Sequence, residues 1–145
     1  MTDPHQLLHD RFGFSTFRGV QEEVVTRTLS GFHSLAVMPT GAGKSLCYQL
    51  PALIRRGTGI VISPLIALMQ DQVRSAEAFG IHAAALTSVS DDPRAIRDAL
   101  RDGKLDLLYV APERATTEAR CSRMRAASRA MSRSLWSAAS MGTWP

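Results

Sequence analysis

The chain has 145 residues, of which 45% are hydrophobic and 21% are charged. This balance is typical of one ordinary globular domain and excludes global disorder. The formal net charge is +4, yet residues 1–114 hold 12 basic and 12 acidic residues, so the whole surplus lies in residues 115–145. The net charge therefore gives no reason to expect nucleic-acid binding by the first 114 residues.

The first part of the chain predicts helices separated by one short strand. Val20, Val24 and Val25 recur at helical spacing before Gly31, a residue that commonly ends helices. The Ser-Leu-Ala-Val-Met run at 34–38 predicts a strand that enters a glycine-rich turn. In chain order we expect a helix over 5–12, a helix over 18–30, a strand over 34–38 and a helix over 44–56.

The next part predicts strands that alternate with helices. In chain order we expect a strand over 59–63, a helix over 66–79, a weak strand over 83–86, a helix over 92–102 and a strand over 105–110. Asp91 is the expected N-cap of the helix over 92–102, and Gly103 lies just past its end. Alternation of this kind predicts an α/β fold with a mainly parallel sheet flanked by helices.

Residues 115–145 have a different composition. Eighteen of these 31 residues are Ala, Ser or Arg, and five of the 18 are arginines, against the single acid Glu118. Strands favour β-branched and aromatic residues, so we expect no sheet strand here and an irregular or loosely helical tail outside the fold. One hypothesis for this tail is translation in a shifted reading frame, and another is a basic segment that binds phosphate.

The run Met38-Pro39-Thr40-Gly41-Ala42-Gly43-Lys44-Ser45 has the pattern of a phosphate-binding loop. Gly41 and Gly43 allow the backbone to turn its N–H groups inward, and the helix that follows directs its positive end at the same anion. Lys44 is expected to reach the β- and γ-phosphates, and Ser45 is expected to be a ligand of Mg²⁺.

Four motifs in order resemble RecQ-type DNA helicases of superfamily 2. They are Phe12-Gly13-Phe14 with Phe17-Arg18 and Gln21, the run from 38 to 52, the Ser-Pro-Leu run that begins at Ser63, and Leu108 to Arg114. The resemblance covers residues 7–114. It implies an incomplete RecA-like P-loop NTPase domain over residues 1–114, truncated before the Asp-Glu-Ala-His box of the family.

The resemblance implies an ATP site. Phe14 and Arg18 would stack on the two faces of adenine, and Gln21 would hydrogen-bond to its edge. The alternatives are core packing for Phe14 and a solvated helix position for Gln21. The residues expected to bind the cofactor are Phe14, Arg18, Gln21, Thr40, Gly41, Ala42, Gly43, Lys44 and Ser45, with Lys44 and Ser45 also acting in catalysis.

The resemblance also implies contacts with DNA phosphates. These would come from Ser63, Pro64 and Leu65, from Thr87 and Ser88, and from Arg114. Two alternatives stay open, a capping role for Thr87 and Ser88 at the next helix and a surface ion pair for Arg114.

The family activity is ATP-dependent 3′–5′ unwinding of DNA in repair and recombination, with ATP and Mg²⁺ as cofactors and single-stranded or partly duplex DNA as partner. The 145 residues contain no Asp-Glu-Ala-His box, so this chain alone is expected to be inactive. The alternative is a non-catalytic module that binds nucleotide or DNA through the loop and the basic tail. The N-terminus has no secretory pattern and the two cysteines build no disulfide framework, which favours a cytoplasmic protein. The resemblance implies that this protein is associated with the nucleoid.

Overall fold

The fold was obtained as a computed structural model of the chain, which describes residues 2–88, 90, 92–115 and 136–138. The chain divides into two compact units, the first ending at Arg56 and the second beginning at Gly57.

The first unit is built from α1 (Pro4–Phe12), α2 (Gln21–Leu29) and α3 (Leu46–Ile54). Helix α1 begins after Asp3, whose carboxylate accepts a hydrogen bond from the His5 N–H at 3.2 Å, and it ends at Gly13 in the left-handed conformation. Helix α3 packs against α1 and α2. The buried apolar side chains of this unit are those of Leu8, Phe12, Val25, Leu46, Tyr48, Leu50 and Ala52.

The predicted strand over 34–38 is wrong. These residues adopt no regular structure, and the side chains of Leu35 and Val37 are 96% and 90% exposed. A strand exists only when a neighbouring strand pairs with its N–H and C=O groups, and the described residues of this unit include no such neighbour. Residues 34–38 therefore have the composition of a strand, but they lack the hydrogen bonds to a neighbouring strand among the described residues of this unit.

The second unit is an α/β layer with a parallel sheet, which confirms the predicted fold class. Its elements are β1 (Gly59–Ile62), α4 (Ile66–Ala78), β2 (Ala83–Leu86), α5 (Pro93–Arg101), β3 (Leu107–Val110), α6 (Pro112–Ala115) and β4 (Trp136–Ala138). The strand order is β2-β3-β1-β4, with every pairing parallel. All four residues of β3 are buried, as expected for a central strand covered on both faces.

Helix α5 covers part of this sheet. Its apolar residues Ile96 and Leu100 pack on a cluster made by Ile60, Leu86, Leu108 and Val110. Its N-cap is Asp92, whose carboxylate accepts hydrogen bonds from the Arg94 and Ala95 N–H groups at 3.0 Å. The expected N-cap, Asp91, is wrong by one residue because Pro93 takes the first helical position.

The strand β4 corrects the expectation that residues 115–145 supply no strand. Its backbone pairs with β1 from Ile60↔Trp136 to Ile62↔Ala138. Three residues at the edge of a sheet need only main-chain hydrogen bonds on one side, so a low strand propensity does not prevent the pairing. The rest of the segment, including the predicted loose helix, lies outside the described residues.

We predict that Leu35→Ala changes the free energy of unfolding by less than about 0.5 kcal/mol, because the Leu35 side chain is already in water. The same substitution at Leu50, which is fully buried in α3, should cost about 2–5 kcal/mol. Urea unfolding followed by circular dichroism compares the two variants. A loss above about 2 kcal/mol for Leu35→Ala would mean that residues 34–38 form a buried strand after all.

Candidate functional site

The phosphate loop of the first unit has the backbone conformation that its glycines allow. Gly41 and Gly43 have φ angles of 82° and 72°, and the Ala42 N–H donates to the Pro39 carbonyl at 3.2 Å. Within the part of the chain that the structure describes, the N–H groups of Gly41, Gly43, Lys44 and Ser45 donate no hydrogen bond. Consecutive N–H groups without an internal acceptor form a binding site for an anion.

Helix α3 begins directly at this loop. Ser45 is its N-cap residue, and the first turn contains no acidic side chain. The carbonyls of Gly43 and Lys44 accept hydrogen bonds from the N–H groups of Leu46 and Cys47, at 3.2 and 3.1 Å. These bonds close the first turn, while the N–H groups before it have no acceptor in the part of the chain that the structure describes. The positive end of the helix therefore lies at the same place as the free N–H groups.

The Lys44 and Ser45 side chains complete the donor set. Both are half-buried, and neither makes a hydrogen bond or ion pair with any of the described residues. A cation, a hydroxyl and a row of N–H groups together fit a magnesium–triphosphate, since Mg²⁺ commonly takes few protein ligands beside phosphate oxygens and water. The residues present thus suit the cofactor that the sequence predicts.

Gln21 lies at the start of α2, and its side chain is joined to the phosphate loop. Its Oε1 accepts from the Arg18 N–H at 2.8 Å, and its Nε2 donates to the carbonyls of Ala42 and Gly43 at 3.0 and 3.2 Å. The side chain is only 4% exposed, so the alternative of a solvated helix position is wrong. The expected contact between Gln21 and adenine stays a prediction.

Phe14 and Arg18 form an exposed stacked pair. The Phe14 side chain is 42% exposed, which excludes core packing, and the Arg18 guanidinium carbon lies 6.0 Å from the Phe14 ring centroid. A base between the two groups needs about 7 Å, twice a stacking contact of about 3.5 Å. The pair would therefore have to open by about 1 Å to admit adenine.

Phe17 has a packing role beside this pair. Its side chain is half-buried, and its ring meets the His5 ring edge-on with the centroids 5.1 Å apart. His5 in turn contacts the Glu22 carboxylate at 2.8 Å. These contacts join α1 to the start of α2, which fixes the segment that carries Arg18 and Gln21.

The residues predicted to contact DNA follow the carboxyl ends of the strands, at one end of the sheet in the second unit. The register pairs Ile62 with Val110 and Leu86 with Val110, so β1, β2 and β3 end at the same level. Ser63–Leu65, Thr87–Ser88 and the segment that leads to Arg114 each follow the carboxyl end of one of these strands. In parallel sheets this edge is the usual place for a ligand.

The first two segments differ in exposure. Pro64 and Leu65 are exposed, and the Leu65 N–H donates to the Ser63 Oγ at 3.3 Å just before α4 begins. Thr87 is 1% exposed, and its N–H donates to the Ser90 Oγ at 2.8 Å, whereas Ser88 is exposed. The alternative that Thr87 and Ser88 cap α5 is wrong, because Asp92 provides that cap.

Arg114 lies in the short helix α6 and is half-buried. Among the described residues it makes no ion pair, so the alternative of a surface pair with Glu113 has no support there. Its guanidinium is a charge that the described residues leave without a counterion, and its contact with a DNA phosphate stays a prediction.

The described residues contain no cluster of three metal-ligating side chains, and none of their helices is long and apolar enough to cross a membrane. Burial raises the pKa of the Cys47 thiol, which disfavours the thiolate form of this side chain.

The comparisons with known proteins agree with this geometry. Residues 18–132 match the family model of the DEAD/DEAH box helicases, and the chain belongs to this family. It is 50% identical to an ATP-dependent DNA helicase RecQ from Pasteurella multocida over 77% of this chain and 18% of that protein. For the RecQ protein of Bacillus subtilis the identity is 44%, over 77% of this chain and 19% of that protein. An ATP-dependent DNA helicase Q-like 2 from Arabidopsis thaliana is 45% identical, over 75% of this chain and 16% of that protein.

These findings confirm the resemblance to RecQ-type helicases that the four motifs carried. The chain spans less than a fifth of the length of these three relatives. The family match also runs past Arg114, where the sequence motifs end.

We predict that Gly43→Ala weakens Mg²⁺–ATP binding at least tenfold. A Cβ at this position would lie 2.5 Å from the Gln21 Nε2, so the carboxamide would have to move and give up its bonds to the loop. Each such bond contributes about 0.5–1.5 kcal/mol, and the φ of 72° adds strain for any residue with a Cβ. Isothermal titration with ATP in the presence of Mg²⁺ measures the effect.

The matched control is Gly31→Ala. Gly31 has a φ of 81°, so the same strain applies, but a Cβ there would meet no atom within 4 Å. Binding by this variant should equal that of the unchanged chain. Equal affinities for both alanine variants would show that the space beside Gln21 is not what the loop requires.

Proposed function

We propose that this chain is the ATP-binding portion of an ATP-dependent 3′–5′ DNA helicase of RecQ type, which acts in DNA repair and recombination. The observation that carries the proposal is the phosphate loop, where four N–H groups that have no acceptor among the described residues lie beside Lys44 and Ser45 at the start of α3. The three relatives described above are ATP-dependent DNA helicases, which supports the reaction class.

The roles in nucleotide binding follow from the donor set. The backbone from Thr40 to Ser45 surrounds the phosphates, Lys44 neutralises part of their charge, and the Ser45 hydroxyl is the protein ligand of Mg²⁺. The bound Mg²⁺ supplies further neutralisation of phosphate charge. Phe14 and Arg18 hold adenine once the pair opens, and Gln21 lies beside them. The exposed position of the Phe14 ring supports this role.

In this proposal the DNA contacts the second unit where the carboxyl ends of β1, β2 and β3 meet. We assign Ser63, Pro64, Leu65, Thr87, Ser88 and Arg114 to it. The common level at which β1, β2 and β3 end supports a single phosphate-binding edge. Thr87 would act there by holding the turn in which Ser88 is exposed, since its own side chain is buried.

We further propose that the 145-residue chain binds nucleotide but does not unwind DNA. The sequence has no Asp-Glu-Ala-His box to position Mg²⁺ and the attacking water, and an arginine finger contributes about 10³–10⁵ in rate where one is present. In this proposal residues 1–114 form the partial RecA-like domain, and β4 adds an edge strand to its sheet. A site of action inside the cell, at the nucleoid, follows from the DNA substrate.

We predict that Lys44→Ala weakens Mg²⁺–ATP binding about 10- to 100-fold, because it removes one charge-assisted contact worth about 1.5–3 kcal/mol. Lys104→Ala is the matched control, since Lys104 is exposed and paired with Asp102 at 3.2 Å. Fluorescence titration with a labelled ATP analogue measures both. If Lys44→Ala binds as well as Lys104→Ala, the phosphate site is not at this loop.

We predict that Arg114→Ala weakens binding of single-stranded DNA and lowers the slope of log affinity against log salt by about 0.7, the value for one phosphate contact on a single strand. Arg101→Ala is the control, because Arg101 is already paired with Asp98 at 2.6 Å. Fluorescence anisotropy over a salt series measures both slopes.

Removal of residues 115–145 tests the second candidate, a binding module that uses the basic tail. The five arginines of this segment against one acid favour it. If the tail is the DNA-binding element, its removal abolishes the salt-sensitive affinity while Arg114→Ala does not. If the carboxyl end of the sheet binds the DNA, Arg114→Ala lowers the salt-sensitive affinity more than the removal of residues 115–145 does.

A further inference from the structure

We propose that Gln49 is a positioning residue for the Ser45 hydroxyl, and that it acts on the binding of Mg²⁺ together with the triphosphate. The inference rests on the proposed nucleotide site and deepens it, because it adds to the phosphate loop a side chain from one helical turn further along α3. The observation that carries it is a buried amide group that has no hydrogen-bond partner among the described residues.

The Gln49 carboxamide is buried with an unused donor. The residue is only 2% exposed, and its Nε2 makes no hydrogen bond with any residue that the structure describes. Buried polar groups in folded proteins almost always have a partner, and a buried donor without one destabilises the fold. An acceptor that reaches Nε2 in another state of the site would remove this cost.

The geometry of α3 places Ser45 beside Gln49. Ser45 has helical backbone angles, with φ −58° and ψ −36°, and its carbonyl accepts from the Gln49 N–H at 2.9 Å. The two residues are therefore joined by a regular α-helical hydrogen bond and lie on the same face of the helix. Helical side chains lean toward the N-terminus of their helix, which directs the Gln49 side chain toward the turn that contains Ser45.

Ser45 is the one residue on this helix face whose side chain can accept from the amide. The positions three or four residues from Gln49 are Ser45, Leu46, Ala52 and Leu53, and the last three are apolar. The Ser45 hydroxyl makes no hydrogen bond with the described residues, so its lone pairs are available. Rotation about its Cα–Cβ bond, between three staggered positions, changes the direction in which these lone pairs point.

The hydroxyl has the capacity for both partners. A serine hydroxyl has one O–H donor and two acceptor lone pairs. As the proposed ligand of Mg²⁺, Ser45 uses one lone pair, which leaves the second for the Gln49 Nε2 and the O–H for a phosphate oxygen. Residues that hold a metal ligand in this way typically change metal affinity by about 10- to 100-fold. Once Ser45 is held in the rotamer that binds the metal, the buried amide gains the acceptor that the described residues do not supply.

The test compares the full chain with Gln49→Met, which keeps the length of the side chain and removes the amide. Because the variant loses a buried donor without a partner, we expect its urea midpoint in the absence of nucleotide to rise. We expect its affinity for ATP with Mg²⁺ to fall about tenfold, and its affinity for ATP in EDTA to stay unchanged. Circular dichroism follows the unfolding, and isothermal titration measures the affinities.

Gln6→Met is the matched control, because Gln6 is exposed on α1 and makes no hydrogen bond with the described residues. It should change neither the urea midpoint nor the affinities. A urea midpoint of Gln49→Met that is unchanged or lower would mean that the amide already has a partner in the free chain. An equal fall in affinity with and without Mg²⁺ would mean that Gln49 shapes the loop and does not act on the metal ligand. Either result would overturn the inference.

A double-mutant cycle with Ser45→Ala gives a readout that a merely structural role would not change. If Gln49 acts through the Ser45 hydroxyl, Gln49→Met should have no effect on the affinity for ATP with Mg²⁺ once that hydroxyl is absent. The same tenfold fall in both backgrounds would show that the two side chains act independently, and the positioning role would be wrong.

Lys44→Ala separates this inference from the proposed function. If Lys44→Ala binds ATP with Mg²⁺ as well as the unchanged chain does, the phosphate site is misplaced, and the proposed function and this inference fail together. If Lys44→Ala loses binding while Gln49→Met keeps its full affinity, the phosphate site stands and only the positioning role of Gln49 is wrong.

Discussion

The carbonyls of Ala42 and Gly43 are turned toward Gln21, and this one orientation decides what the loop can bind. The N–H groups of the same two peptides are left without acceptors among the described residues, beside the start of α3. The lack of a Cβ at Gly43 is part of the same arrangement, because the Gln21 amide occupies the space that a Cβ would need. The phosphate loop thus depends on a glycine and a glutamine that lie 22 residues apart in the sequence.

Local sequence signals predicted most of the helices and the parallel strands. Glycines in the left-handed conformation follow α2 and α5 closely, at Gly31 and Gly103, where the sequence predicted the ends of helices. Long-range pairing could not be predicted in the same way. The 34–38 segment has the right residues for a strand but no partner in its unit, whereas β4 has weak strand propensity and a free edge of β1 beside it.

In the candidate site, too, the features set by neighbouring residues could be predicted from the sequence, whereas a contact between residues far apart in the sequence could not. The glycines, Lys44 and Ser45 form a contiguous motif whose backbone chemistry could be predicted from spacing alone. The side chain of Gln21 could not be placed, because nothing near position 21 in the sequence indicates that its amide reaches the loop at 42–43. The motif resemblance indicated only that Gln21 belongs to the nucleotide site, and the hydrogen bonds show that its amide contacts the phosphate loop.

The segment from Ser34 to Met38 has a practical consequence for work with this chain. Its Leu35 and Val37 side chains stand almost wholly in water, and the backbone around them is not engaged by any described strand. A short apolar stretch with a free backbone is a template on which other extended chains can add. The N–H and C=O groups of this stretch are therefore open to pairing with a second extended chain, and a lysine at position 35 or 37 would oppose such pairing by its charge.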